Sequence, residues 1–279
     1  MAAPQMLTTL MFVPAHDARK VAKAQTSAAD AIILDLEDAV PEQTKGEARA
    51  AAARLVREHQ GVGPRVWVRI NGAQTPHYDA DLRAIDWSRA GLLVPKAEEP
   101  AAVRAFASLT LSGLILTLET AAGCARAADL AAAAPIESRF ALGTWDLALD
   151  LGLAVDDPDE SELVWHVRAQ TVLASRAAGL QPPIDGVYGR IDDDAGLERM
   201  ATRAFHLGFG GKLLVHPRQI PVTAKIFGRD EVRLRDAQAL IEAYEAAAQT
   251  GTGAIRHTGQ MIDRVHVDLA RRLVARWSR

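Results

Sequence analysis

Short apolar runs recur along the chain, and each gives way to a polar or charged residue before a stretch of helical character begins. The runs are Leu10–Val13, Ala31–Leu36, Val66–Ile70, Gly91–Val94, Leu114–Leu118, Phe140–Leu142, Ile184–Tyr188 and Leu213–Val215. Each is strand-sized and nearly continuous in apolar residues, the pattern of a parallel strand buried on both faces. Eight such strands alternating with helices predict right-handed crossovers and closure into an α/β fold, the (β/α)8 TIM barrel. The runs end at His16, Asp35 with Glu37 and Asp38, Arg69 with Asn71, Lys96, Glu119, Asp146, Asp185 and His216. In such a barrel the chemistry sits on the loops at the C-terminal strand ends, which is where these residues fall.

The pattern continues past the eighth run. Asp230–Ala248 reads as a long helix with Leu234, Ala237, Leu240, Ile241 and Tyr244 on one face. A turn cluster, Thr250-Gly251-Thr252-Gly253, follows. Met261-Ile262-Asp263 then opens a last helical stretch through Trp277, with Val265, Leu269, Leu273 and Trp277 at four-residue spacing. A barrel needs no such appendage to close. The expected division is a catalytic barrel over residues 1–228 and a helical extension over 229–279, which packs on its own barrel or, as we expect, reaches a neighbouring subunit.

Composition narrows the partners. A length of 279 residues fits one barrel of about 250 residues plus an extension. A net charge of -3 gives no general attraction to nucleic acid or anionic membrane. No segment reaches the roughly 18 uninterrupted apolar residues of a membrane span, and Met1–Thr9 carries no basic region ahead of an apolar core. The single cysteine, Cys124, cannot close an internal disulfide. A cytoplasmic protein with neither nucleic-acid nor membrane partners is expected.

Glu119 and Asp146 end neighbouring strands, which lie about 4.8 Å apart in a sheet, so their side chains can share one ligand. Two hard oxygen donors with room for water and substrate suit Mg2+, which is usually held by one or two carboxylates plus ligand oxygens. Either residue alone reads rather as the N-cap of the following helix; the pair at adjacent strand ends favours the metal. Alternation aims Asp35 and Glu37 to one side. So many acids near a low-dielectric site require compensation. Glu37 is therefore expected to support a metal-bound water or an arginine, whereas Asp38 also reads as part of a solvated acidic turn. Arg69 closes an almost wholly apolar strand and needs an anion, either a protein carboxylate such as Glu37 or a substrate carboxylate or enolate. Lys96 reads as a Schiff-base lysine or as a structural or electrostatic residue; a Mg2+ site favours the second, because metal and imine are alternative electron sinks. Gly208-Phe209-Gly210-Gly211-Lys212 lacks the spacing of a phosphate-binding loop, and His216 reads as a core or capping residue.

Taken in order, Leu-Met-Phe-Val-Pro-Ala, Ile-Leu-Asp-Leu-Glu-Asp-Ala-Val, Val-Arg-Ile-Asn-Gly, Val-Pro-Lys, Glu-Thr-Ala-x-Gly, Gly-Thr-x-Asp-Leu-Ala-x-Asp-Leu-Gly, Gly-Phe-x-Gly-Lys and His-Pro-x-Gln-Ile resemble the citrate lyase beta-subunit-like branch of the HpcH/HpaI aldolase superfamily. The resemblance runs from Leu10 to about Ala248. It implies a barrel assembled as trimers or hexamers and a Mg2+-dependent lyase acting on 3-hydroxyacyl thioesters. Glu119 and Asp146 would then be the metal ligands, and Arg69 would contact substrate carboxylate or enolate. The Glu37/Asp38 segment would support them, and Arg19 with Lys20 would lie near the phosphates of coenzyme A or an acyl carrier. Gly259-Gln260-Met261-Ile262-Asp263 resembles a segment of malyl-CoA lyase-like relatives in which the aspartate is an acid/base delivered by a neighbouring subunit. Gln260 replaces their usual lysine, and Ala15-His16 replaces the usual Pro-Gly turn.

The expected reaction is cleavage of a malyl-, citramalyl- or citryl-type thioester to a 2-oxo acid and an acyl thioester, or the reverse condensation. Rivals are a citrate lyase beta subunit acting on carrier-bound citryl groups, a thioesterase, and a non-catalytic CoA-ester-binding subunit.

Overall fold

The computed structural model describes residues 6–106, 109, 112–249, 251 and 253–277. Met1–Gln5, and Thr250 and Thr252 of the turn cluster, lie outside the described residues. Eight parallel strands form a closed barrel in sequence order, with the last paired to the first. They are β1 (Thr9–Pro14), β2 (Ala31–Asp35), β3 (Arg65–Arg69), β4 (Gly91–Val94), β5 (Leu114–Leu118), β6 (Arg139–Leu142), β7 (Ile184–Asp185) and β8 (Gly211–Leu214). The helices between and after them are α1 (Ala18–Gln25), α2 (Lys45–Glu58), α3 (Tyr78–Ala84), α4 (Pro100–Phe106), α5 (Ala121–Ala125), α6 (Ala127–Ala133), α7 (Thr144–Asp150), α8 (Glu162–Ala177), α9 (Asp194–Leu207) and α10 (Gln219–Phe227).

The apolar runs are continuous because both faces of each strand are buried. Leu10, Ile33, Trp67, Leu93, Ile115, Ala141, Ile184 and Leu213, one from each strand, fill the barrel interior. Met11, Ile32, Val68, Leu92, Leu116, Phe140 and Leu214 point the other way, into the layer shared with the helices. Each such side chain contributes about 1.5–3 kcal/mol by leaving water. The Trp67 indole fills the space that a Cβ at Gly91 would need, so a small residue at the start of β4 admits a large one from β3.

The seventh strand is shorter than its apolar run. Ile184–Tyr188 yields a strand over Ile184–Asp185 alone. Pro182 and Pro183 precede it and offer no N–H to a ladder. At Gly186 the chain then passes so close to Leu142 O and Thr144 that no Cβ would fit.

Contacts divide the molecule into a barrel unit, Leu7–Phe227, and a second unit of Met1–Met6 with Gly228–Arg279. In the second unit α11 (Glu231–Ala248) is capped by Asp230, whose carboxylate accepts from Val232 N and Arg233 N. The expected helix from Met261 is corrected. An antiparallel hairpin, β9 (Ile255–His257) and β10 (Gln260–Ile262), precedes α12 (Arg264–Trp277). Thr258 and Gly259 form its two-residue loop with φ of 48° and 87°. Both values are positive, as a loop matching the strands' twist requires. Arg271 ties α12 to α11 by donating to Glu245 Oε1 at 2.8 Å. Of the apolar stripe expected on the last helix, Trp277 is buried, whereas Val265 and Leu269 are exposed.

Candidate active site

Asp35 and Arg69 end β2 and β3 and stand opposite each other in the parallel register. Each lies two residues beyond an interior-facing residue, Ile33 and Trp67, so alternation turns both inward at the C-terminal mouth. The pairing is bidentate: Arg69 Nε donates to Asp35 Oδ1 and Nη2 to Asp35 Oδ2, each at 2.7 Å. Nη1 is left to face Glu37 Oε2 at 3.0 Å and Asp38 Oδ2 at 3.4 Å, and the guanidinium lies over the Phe12 ring. The principal partner of Arg69 is therefore Asp35, a residue two positions before the expected Glu37. Burial alone would raise the pKa of Asp35. The Arg69 charge and its hydrogen bonds outweigh burial and hold the carboxyl below its ordinary value.

Glu119 follows β5 and is buried. It does not cap the next helix; Thr120 does, accepting from Gly123 N. Glu119 Oε1 instead accepts from Lys96 N at 2.7 Å. Its other oxygen occupies space that exists because residue 143 is glycine, since a Cβ there would collide with it. Burial first, and then the charges of Glu37 and Asp146, push its pKa up to about 8. Asp146 sits in the first turn of α7, whose N-cap Gly143 provides no side chain, and it is half-buried. The alternative capping role thus fails for Glu119 and is not fulfilled by Asp146.

Lys96 links these groups. Its backbone has a φ of 46°, a left-handed conformation that costs a non-glycine residue about 1–3 kcal/mol and persists where its surroundings enforce it. Nζ donates to Glu37 Oε1 at 3.1 Å and lies 3.6 Å from Asp146 Oδ1. Burial would lower the pKa of Lys96, but Glu37, Glu119 and Asp146 raise it well above the ordinary lysine range. A Schiff-base lysine needs the opposite shift, so the electrostatic role stands. Glu37 is raised by burial above all, and its buried Oε2 is ion-paired with Arg69 Nη1 without a well-formed hydrogen bond.

Below this mouth lies a support that the sequence did not advertise. Buried Lys45, at the start of α2, donates to Leu36 O, Glu37 O and Asn71 Oδ1 at 2.8, 2.7 and 2.6 Å. Asn71 donates from N and Nδ2 to Asp81 Oδ2, and Arg49 donates to Asp81 Oδ1. This network fixes the Leu36–Glu37 backbone. The signal was a lysine seven residues past Asp38 of the acidic strand end, which reads like any solvated helix start.

The remaining candidates are dispersed. Arg19 and Lys20 are exposed on α1, with Lys20 Nζ 3.3 Å from Asp17 Oδ2. Lys212 of the glycine-rich run pairs with Asp185, well inside the protein. His216 Nδ1 accepts from Arg218 N. In the second unit Asp263 Oδ1 pairs with His266 Nδ1 at 2.7 Å and accepts from Val265 N. The hydrogen bond from His266 holds its carboxyl below the ordinary aspartate value.

Among the described residues Asp35, Glu37, Asp38, Glu119 and Asp146 thus face only Arg69 and Lys96 at this mouth, leaving an excess of three negative charges when all are ionised. That excess and the upward shift of Glu119 fit a divalent cation. Among the described residues no group of three or more His, Cys, Asp or Glu side chains converges as a ready-made cage.

Comparison with known proteins gives a consistent picture. Residues 8–217 match the family described as HpcH/HpaI aldolase/citrate lyase. The citrate lyase subunit beta-like protein of Deinococcus radiodurans is 34% identical over 98% of both chains. The (3S)-malyl-CoA thioesterase of Cereibacter sphaeroides is 35% identical over 96% of this chain and 93% of its own. Among solved structures, CitE from Mycobacterium tuberculosis in complex with magnesium, acetoacetate and coenzyme A superposes with a TM-score of 0.79. It is 31% identical over 97% of this chain and 98% of that one.

Proposed function

The chain belongs to the HpcH/HpaI aldolase/citrate lyase family, and we propose that it is a Mg2+-dependent carbon–carbon lyase. Its substrates are 3-hydroxyacyl-CoA thioesters of the malyl-, citramalyl- or citryl-CoA type, cleaved to a 2-oxo acid and an acyl-CoA or formed from them. The observation that carries this reading is the acid-rich mouth, where buried Glu119 and half-buried Asp146 lie around Lys96, and Arg69 is locked in place by Asp35. The magnesium and coenzyme A bound by the similar CitE structure support it.

Glu119 and Asp146 are the residues to hold Mg2+. When bound, the ion supplies Lewis acidity to the oxo-acid oxygens. Cleavage breaks the bond between the hydroxyl-bearing carbon and the thioester α-carbon. The hydroxyl gives up its proton to solvent, the carbinol carbon becomes a carbonyl, and the electron pair of the broken bond enters a thioester enolate whose α-carbon takes a proton from Asp263. Arg69, held in one orientation by two hydrogen bonds, offers positive charge to the enolate or to the substrate carboxylate without reorganising. Glu37 and Asp38 keep Nη1 of Arg69 turned toward the mouth, and Arg19 and Lys20 meet the coenzyme phosphates. Asp263, from a neighbouring subunit of a trimer or hexamer, exchanges the proton. Its bond to His266 must open before it can act as an acid. The exposed Val265 and Leu269 support an extension that docks on another copy. We place the enzyme in the cytoplasm, consistent with a free Cys124 thiol. Among the described residues no helix is long and apolar enough to cross a membrane.

Calorimetry with Mg2+ tests the metal assignment: wild type binds, and Glu119→Gln loses binding. A wild type that binds no Mg2+ overturns it. Incubation with a panel of malyl-, citramalyl- and citryl-thioesters, read by mass, tests the reaction. A 2-oxo acid with acyl-CoA marks the lyase. A free hydroxy acid with coenzyme A marks a thioesterase, the second reading, favoured by the similarity to the malyl-CoA thioesterase.

A further inference from the structure

One residue touches all three carboxylates nearest the assigned metal site. The Lys96 main chain donates to Glu119 Oε1 at 2.7 Å, while its ammonium reaches Glu37 Oε1 at 3.1 Å and Asp146 Oδ1 at 3.6 Å. Backbone and side chain thus reach different acids of one cluster from a residue whose φ of 46° is left-handed. The other cation of the mouth, Arg69, is committed to Asp35 through both oxygens, and no ion pair joins it to Asp146. Lys96 is therefore the cation that faces Asp146.

We propose that Lys96 is the resident counter-cation of the metal-binding carboxylates: its ammonium neutralises Glu37 and Asp146 in the metal-free protein and withdraws when a divalent cation binds. This rests on the assignment of Glu119 and Asp146 as metal ligands. An ammonium and a dication cannot both share the same carboxylate oxygens without strong repulsion. The Lys96 side chain is 40% exposed, so its flexible stem has a path to solvent, whereas its backbone stays tied to Glu119. The device has two consequences. It prevents the acids from repelling one another while the site is empty, and it weakens metal binding, because each binding event must first release Lys96.

The test uses the full-length, metal-free protein, with Mg2+ titrated calorimetrically and thermal melting followed with and without Mg2+. Lys96→Met is expected to bind Mg2+ about tenfold more tightly than wild type, since a competing charge has been removed from a partly exposed site. Its metal-free melting temperature is expected to fall and its Mg2+-induced rise to grow. Lys96→Arg, which keeps the charge, stays near wild type. A Lys96→Met protein that binds Mg2+ with equal or lower affinity overturns the proposal, because Lys96 would then orient the ligands rather than compete for them. Lys96→Gly removes the charge and the backbone strain together and carries the same readout if the methionine variant does not fold. The two assignments fail separately: wild-type strength in Glu119→Gln contradicts the metal ligand itself, whereas Lys96→Met reports only on the counter-cation.

Discussion

Two clusters of charged side chains in the barrel are built on opposite principles. Between the strands and α8, Arg168 and Lys212 meet Asp159 and Asp185, two cations against two anions, all buried. Burial would raise the pKa of Asp185, but Arg168 and Lys212 overcome it and hold the carboxyl below its ordinary value. At the mouth, five carboxylates face two cations, and there the balance tips the other way: burial and mutual repulsion push Glu37 and Glu119 up. Burial is common to both clusters, so burial does not identify the functional one. Charge imbalance does, because a balanced set has no use for a further ligand, whereas an acidic excess is relieved by a cation.

The largest effect is expected from unbalancing the balanced cluster. Asp185→Asn leaves Arg168 and Lys212 buried without their shared partner and should cost about 3–5 kcal/mol of stability, read by urea unfolding. Glu119→Gln, a change of the same size at the mouth, should leave metal-free stability unchanged near neutral pH and raised above about pH 8, because only there does it remove a repelling charge. Equal losses in the two variants would erase the distinction between the clusters.

The next effect is on turnover. Arg69→Met should lower kcat by about 100- to 1000-fold, the usual result of deleting one preorganised donor at developing negative charge. Arg69→Lys should not restore it, because an ammonium cannot bind Asp35 through two parallel hydrogen bonds. Steady-state kinetics on whichever thioester is turned over checks both, and near-wild-type kcat in Arg69→Met would move the arginine out of the chemistry into structure.

Much of this was legible in the sequence, and the parts that were not share a cause. Uninterrupted apolar runs predict parallel strands and the barrel because both strand faces are buried. The position of Glu119 and Asp146 after neighbouring strands follows from the same periodicity. What stayed hidden depends on registration and space across the chain. Asp35 rather than Glu37 clasps Arg69 because the two are directly opposite in the parallel ladder. Gly143 matters because of where the Glu119 carboxylate swings, and Lys45 because α2 begins beneath the β2 loop. The hairpin before α12 was misread as helix since Met261 and Ile262 fit a helical apolar spacing, while the positive φ at Thr258 could not be inferred from a threonine.

The smallest effect, and the one that sharpens the contrast most finely, is the dependence of stability on pH. In the metal-free folded barrel Glu119 has a pKa of about 8 against an ordinary 4.5, so the folded state holds this proton more tightly than the unfolded chain. Its contribution is complete below 4.5 and is lost as pH rises through about 8, with a slope of at most about 1.4 kcal/mol per pH unit for one proton. Mg2+ requires the ionised carboxylate and competes with that proton, so stabilisation by a fixed Mg2+ concentration should grow over the same window. Asp185 contributes no slope there, because its pKa is lowered and its stabilisation is lost only in acid. Urea unfolding across this range, with and without Mg2+, should therefore show two slopes of opposite sign in wild type, both reduced in Glu119→Gln, where Glu37 keeps its raised pKa. Metal-free stability that rises with pH through the window would mean that Glu119 is already compensated in the empty site, and the mouth would then belong with the balanced cluster.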